Sequence, residues 1–127
     1  MPTARSNRVI IAEDERIVAD LLSITLQEMG CQVHITNKET EIRDGIIRWK
    51  PDLLLLDLFL PGCSGLDLLR DYISLGVKTG RPIPILIVSA MGFLEVVKQA
   101  RELGAADFIL KPIDLDNFRQ KALMYLP

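Results

Sequence analysis

The chain has 127 residues, 49% of them hydrophobic and 25% charged, with a formal net charge of -2. That length suits one domain with a core that needs no staples, and the composition argues against disorder. The mild acidity leaves no basic footprint for nucleic acid, no apolar run reaches membrane-spanning length, and Met1-Pro2-Thr3-Ala4-Arg5 lacks a signal-peptide core.

The first strand is predicted over Arg8-Val9-Ile10-Ile11-Ala12 and runs into the acidic triplet Glu13-Asp14-Glu15. A helix follows with Val18, Leu21, Leu22, Leu26 and Met29 on one face, and Gly30 stands where it stops. Cys31 to Thr36 alternates like a short strand, with Gln32 and His34 opposite Val33 and Ile35. A more polar helix spans roughly Lys38 to Lys50 and closes at Pro51. The third strand is the run Leu53-Leu54-Leu55-Leu56-Asp57-Leu58, apolar enough to be covered on both faces. Pro61-Gly62-Cys63-Ser64-Gly65 forms a loop, and Ser64 with Asp67 resembles a capping box for helix three.

Near Gly76 that helix gives way to the polar loop Lys78-Thr79-Gly80-Arg81. Pro82 and Pro84 bracket the entry to strand four, Ile85-Leu86-Ile87-Val88-Ser89. Helix four carries Phe93, Val96, Val97, Ala100 and Leu103 on one stripe and ends at Gly104. Strand five is Asp107-Phe108-Ile109-Leu110, followed by Lys111-Pro112. Asp114 can cap a last helix that turns Leu115, Phe118, Ala122 and Tyr125 inward. Strands alternating with helices in this way indicate an α/β fold with a doubly wound parallel sheet.

In open sheets of that kind the ligand site lies outside the carboxyl ends of the strands. Strand one delivers Glu13 and Asp14 there, strand three Asp57, strand four Ser89 and strand five Lys111, while Thr36-Asn37 on strand two adds nothing comparable. An ionised carboxylate in a run as apolar as Leu53–Leu60 is costly unless a cation or hydrogen bonds compensate it. Clustered carboxylates offer hard oxygen ligands suited to Mg²⁺, and a lysine with a hydroxyl beside them could bind phosphoryl oxygens.

On these residues the chain resembles the response-regulator receiver domains of two-component phosphorelay signalling. The resemblance runs from about Arg8 to Leu126. It rests on Glu13-Asp14-Glu15, Asp57, Leu60-Pro61 with Gly65, Ser89-Ala90, and Phe108 three residues before Lys111-Pro112. It implies one receiver domain over residues 1–127, a flavodoxin-like sheet of order 2-1-3-4-5 and a cytoplasmic location. Asp57 is similar to the phosphoacceptor that takes a phosphoryl group from a histidine kinase or histidine phosphotransfer protein. Asp14 and Asp57 would bind Mg²⁺ directly, Glu13 directly or through a water, and Phe59 through its backbone carbonyl. Ser89 and Lys111 would contact phosphoryl oxygens, and Phe108 would be the aromatic switch that moves inward with Ser89. Pro112 would follow a cis peptide bond. Output would pass through the face of helix four, strand five and helix five to an effector domain or a downstream protein. The domain would be a phosphoacceptor for signalling rather than an enzyme, with no nucleic-acid or membrane binding of its own.

Competing readings are weaker. Asp57 as a cap for helix three is displaced by Ser64. Acids at a helix N-terminus explain Glu15 but not the coincidence of Glu13 and Asp14 with Asp57. His34 and Trp49 read as structural, Cys63 as incidental, and Cys31 and Cys63 as reduced thiols. A pseudo-receiver that binds proteins without phosphorylation is opposed by the intact set Asp14, Asp57, Ser89 and Lys111. A phosphohydrolase of the haloacid dehalogenase type needs a second aspartate where this chain has Phe59. Apolar Phe59 and Met91 flank the site and are expected to shield an acyl phosphate from water. The end at Pro127, just after the last helix, suits a free-standing regulator or a receiver from a larger protein.

Overall fold

A computed structural model describes residues 6–90 and 94–127. Met91 and Phe93, both assigned positions above, lie outside the described residues. The strands are β1 (Arg8–Ala12), β2 (Gln32–Thr36), β3 (Leu53–Asp57), β4 (Ile85–Ala90) and β5 (Asp107–Lys111). The helices are α1 (Arg16–Glu28), α2 (Glu39–Arg48), α3 (Gly65–Lys78), α4 (Leu94–Leu103) and α5 (Leu115–Tyr125). Every strand pair is parallel and the order is β2-β1-β3-β4-β5, the flavodoxin-like arrangement.

The pleat explains why β3 is apolar on both faces. Leu54 and Leu56 join Ile10, Ile85 and Ile87 in one core with α2, α3 and α4 residues such as Ile42, Leu69 and Ala100. Leu53 and Leu55 join Val9, Ile11, Leu86 and Val88 in the opposite core, with Leu22 and Leu26 of α1 and Phe118 of α5. All four leucines have no exposed surface, and each contributes about 1.5–3 kcal/mol relative to an exposed position. Among the described residues no helix is long and apolar enough to cross a membrane.

Two helical details differ from the sequence-based expectation. Leu21 is 37% exposed, while Ser23 and Thr25 are buried in its stead. Thr25 tolerates this because its hydroxyl donates to the Leu21 carbonyl at 2.9 Å and needs no water. Ser64 occupies the N-cap position of α3 without a side-chain capping bond, so the capping box does not form. The seat of α3 is sterically defined instead. A Cβ on Gly65 would stand 2.5 Å from the Leu58 carbonyl carbon and nearer still to its oxygen. Asp114 does cap α5, accepting from the Asp116 and Asn117 amides at 3.0 and 3.2 Å. The Lys111–Pro112 peptide is cis.

Candidate functional site

Register alone assembles the site. Ala12 is aligned with Leu56, so Glu13 emerges beside Asp57 at the carboxyl edge of the two central strands. Asp57 is aligned with Val88, which puts Ser89 one step beyond, and Ala90 is aligned with Lys111. The chain leaves β1 toward β2 on one side and returns to β3 on the other, so this edge is the switch point of the sheet. There Asp14, Glu15, Asp57, Phe59, Ala90 and Lys111 line an open cavity of about 300 Å³. A larger groove of about 440 Å³ runs past His34 and Trp49. Charged groups there are already paired: Arg48 with Asp44 at 2.6 Å, and Glu41 with the Thr36 hydroxyl at 2.5 Å. Size therefore does not select the site; chemistry does.

Asp57 is 5% exposed. Its Oδ1 accepts the Phe59 amide at 2.9 Å and its Oδ2 accepts from Lys111 Nζ at 3.3 Å. Lys111 Nζ also reaches Glu13 Oε1 at 2.5 Å and Glu15 Oε1 at 2.7 Å. Burial draws the Lys111 ammonium down, but hydrogen bonds and charge from Glu13, Glu15 and Asp57 outweigh it and hold the group above its ordinary value. Three carboxylates around one ammonium leave excess negative charge, and the most buried of them carries the proton. Burial first, then Asp57 beside it, pushes Glu13 up to about 8.

Glu13 is also the group that fits a metal best. Both of its oxygens are buried; Oε1 faces the Lys111 ammonium that Glu15 and Asp57 also share, and Oε2 has no hydrogen-bond partner among the described residues. Buried acceptors left in that state are costly, and a divalent cation would satisfy them. Oxygen atoms of Glu13, Glu15 and Asp57 lie within 4.8 Å of one another, with the expected ligand Asp14 outside that cluster. Of the three, Glu13 and Asp57 are the buried hard-oxygen pair suited to Mg²⁺, while exposed Glu15 is held by Lys111.

The remaining predicted residues fall around this core. Asp14 is exposed on the cavity wall and accepts the Asn37 amide at 2.9 Å. The end of β2 thus does contribute, contrary to the expectation from sequence. An asparagine amide can donate to a neighbouring acid, and only the β1–β2 register reveals that it does. Ser89 is buried, its hydroxyl donating weakly to the Ala90 carbonyl at 3.4 Å. Phe108 is half-buried against the α2–α4 core and is aligned with Ile87, two residues before Ser89. Lys121 Nζ sits 4.3 Å from its ring centroid and donates to its carbonyl at 2.6 Å. Phe59 is 51% exposed. Glu15 is the site residue that sequence reasoning misses, because it reads as a helix-terminus acid. Its place in the acidic triplet is the available signal, but its contact with Lys111 spans 96 positions of sequence.

Residues 9–123 match the sequence profile of the response regulator receiver domain. Sporulation initiation phosphotransferase F of Bacillus subtilis is 28% identical over 122 residues, which is 96% of this chain and 95% of that protein. The response regulator protein PilR of Pseudomonas aeruginosa is 35% identical over 113 residues, covering 89% of this chain but only 24% of PilR. Among solved structures, the receiver domain of NtrX from Brucella abortus superposes with a TM-score of 0.84 at 26% identity. That match covers 94% of this chain and 98% of the domain. The chain therefore spans nearly all of one relative and about a quarter of another.

Proposed function

This chain belongs to the response regulator receiver domain family, and from that premise we propose that it is a phosphorylation-controlled switch whose acceptor is Asp57. The observation that carries the reading is the Asp57 carboxylate, buried at a strand end with one oxygen on the Phe59 amide and the other on the Lys111 ammonium. An Asp57 oxygen attacks the phosphorus of a phosphohistidine on a histidine kinase or histidine phosphotransfer protein. The P–N bond breaks, its electron pair stays on the imidazole, and the new O–P bond makes an acyl phosphate. Transfer of this kind asks mainly for position and charge balance. The Phe59 amide and Lys111 supply the first by fixing the carboxylate plane, and Lys111 supplies the second.

Glu13, Asp14, Asp57 and the Phe59 carbonyl would hold Mg²⁺, which when bound neutralises charge on the phosphoryl oxygens. The buried Glu13 Oε2, without a hydrogen-bond partner among the described residues, supports this choice. The Ser89 hydroxyl exchanges its weak bond to Ala90 for a phosphoryl oxygen, and Phe108 follows it inward. Output passes through α4, β5 and α5 to an effector domain or a downstream protein, in the cytoplasm, with no nucleic-acid contact by this single domain itself. Beryllofluoride, which mimics a phosphoryl group on aspartate, tests the reading. With Mg²⁺ it is expected to bind at one equivalent and to shift the resonances of Ser89 and Phe108. Absence of binding to the folded protein contradicts the reading.

A further inference from the structure

Lys111 has three N–H donors, and in the unphosphorylated chain three carboxylates surround them. A phosphoryl group on Asp57 needs that ammonium too, so one present partner has to yield. Glu13 and Asp57 are poor candidates, with side chains 0% and 7% exposed, because a buried carboxyl group that loses its partner has no water to replace it. Glu15 is different: its side chain is 61% exposed, so water takes over as soon as it lets go.

A second observation concerns what Glu15 does not do. It occupies the N-cap position of α1, with extended backbone (φ -76°, ψ 112°), yet makes no side-chain capping bond. The first turn of α1 holds no other acid. A carboxylate at that position would ordinarily serve the free amides and the positive end of the helix. Here it reaches across to β5, at 2.7 Å from Lys111 Nζ, closer than Asp57 at 3.3 Å.

We propose that Glu15 is a placeholder for the phosphoryl group, a positioning residue that holds Lys111 in the unphosphorylated state and is displaced when Asp57 is modified. This rests on the function proposed above and adds a regulatory setting to the same site. Glu15 competes with the phosphoryl oxygens for one ammonium, so it weakens their binding and favours the resting state. An exposed ion pair of this kind is worth a factor of about 3 to 5 in affinity, and salt screens it.

The test is a double-mutant cycle on beryllofluoride affinity at saturating Mg²⁺, using wild type, Glu15→Gln, Lys111→Gln and the double variant. Glu15→Gln is expected to tighten beryllofluoride about 3- to 5-fold at low salt, and the gain should vanish in about 1 M salt. In the Lys111→Gln background the same change is expected to alter affinity less than about twofold, because the placeholder has nothing to hold. Equal tightening in both backgrounds would mean plain repulsion of the anion and overturns the proposal. So does weaker binding in Glu15→Gln, which would make Glu15 a metal ligand, and so does no change. Wild type that fails to bind beryllofluoride at all brings down the function reading itself, a distinct result from wild-type binding that Glu15→Gln leaves unmoved.

Discussion

Gly65→Ala ties the packing of α3 to the chemistry at Asp57. The added methyl would stand 2.5 Å from the Leu58 carbonyl carbon, against about 3.5 Å for an ordinary carbon contact. Either α3 or the Leu58–Phe59 backbone must retreat by about 1 Å, and both parties are main chain, which cannot rotate aside. Overpacking of this size costs about 1–3 kcal/mol, and the backbone location points to the upper half of that range. The same displacement drags the Phe59 amide off Asp57 Oδ1, so phosphorylation should slow several-fold as well. Gly62→Ala is the matched control: Gly62 has φ +73°, and nothing lies within 4 Å of its missing Cβ. That variant should cost only the left-handed conformation, about 1–2 kcal/mol, and leave the rate near wild type. Urea denaturation gives the stabilities and a phosphotransfer time course gives the rates. If Gly65→Ala is no less stable than Gly62→Ala and phosphorylates at the wild-type rate, the steric account of this turn is wrong.

Three further outcomes follow from single groups. The Tyr72 hydroxyl is buried with no hydrogen-bond partner among the described residues, and burial raises its pKa. Tyr72→Phe should therefore be neutral or stabilising by up to about 1 kcal/mol, and a lower melting temperature would reveal a partner. Glu13 holds its proton up to about 8 when folded and has an ordinary value of 4.5. Its contribution is thus complete below pH 4.5 and is lost as pH rises through about 8. In chelator-treated protein, stability should fall across that window by at most about 1.4 kcal/mol per pH unit. Glu13→Gln should flatten the slope, and an unchanged pH profile would contradict the assignment. Finally, the half-exposed Phe59 ring on the cavity wall is expected to keep water from the acyl phosphate. Phe59→Asn should shorten its lifetime, and an equal or longer half-life refutes the shielding role.

What the sequence makes legible is what is local or follows from topology; what it hides crosses the sheet. Strand identity is legible because β3 is leucine up to Asp57 and β4 opens Ile-Leu-Ile-Val, patterns that only two-sided burial explains. The residues at the carboxyl edge are legible because topology sends every strand end of a parallel sheet to one side, which brings Glu13, Asp57 and Lys111 together. Contacts made across the sheet are not. Nothing local tells Glu15 to reach β5 instead of capping α1, or Asn37 to hold Asp14. Ser64 misleads for the opposite reason. Its sequence context is that of a cap, but the close approach of Gly65 to Leu58 already defines the entry to α3. Leu21 faces outward because Thr25 can bury itself by bonding its own helix, an option that hydrophobic periodicity does not register.

The central claim is that Asp57 carries the phosphoryl group. Labelled phosphate should be transferred from a phosphohistidine donor to the wild-type protein in the presence of Mg²⁺. The label should be lost in hydroxylamine, as an acyl phosphate requires, and be absent from Asp57→Asn folded to wild-type stability. Undiminished labelling of Asp57→Asn would contradict the account.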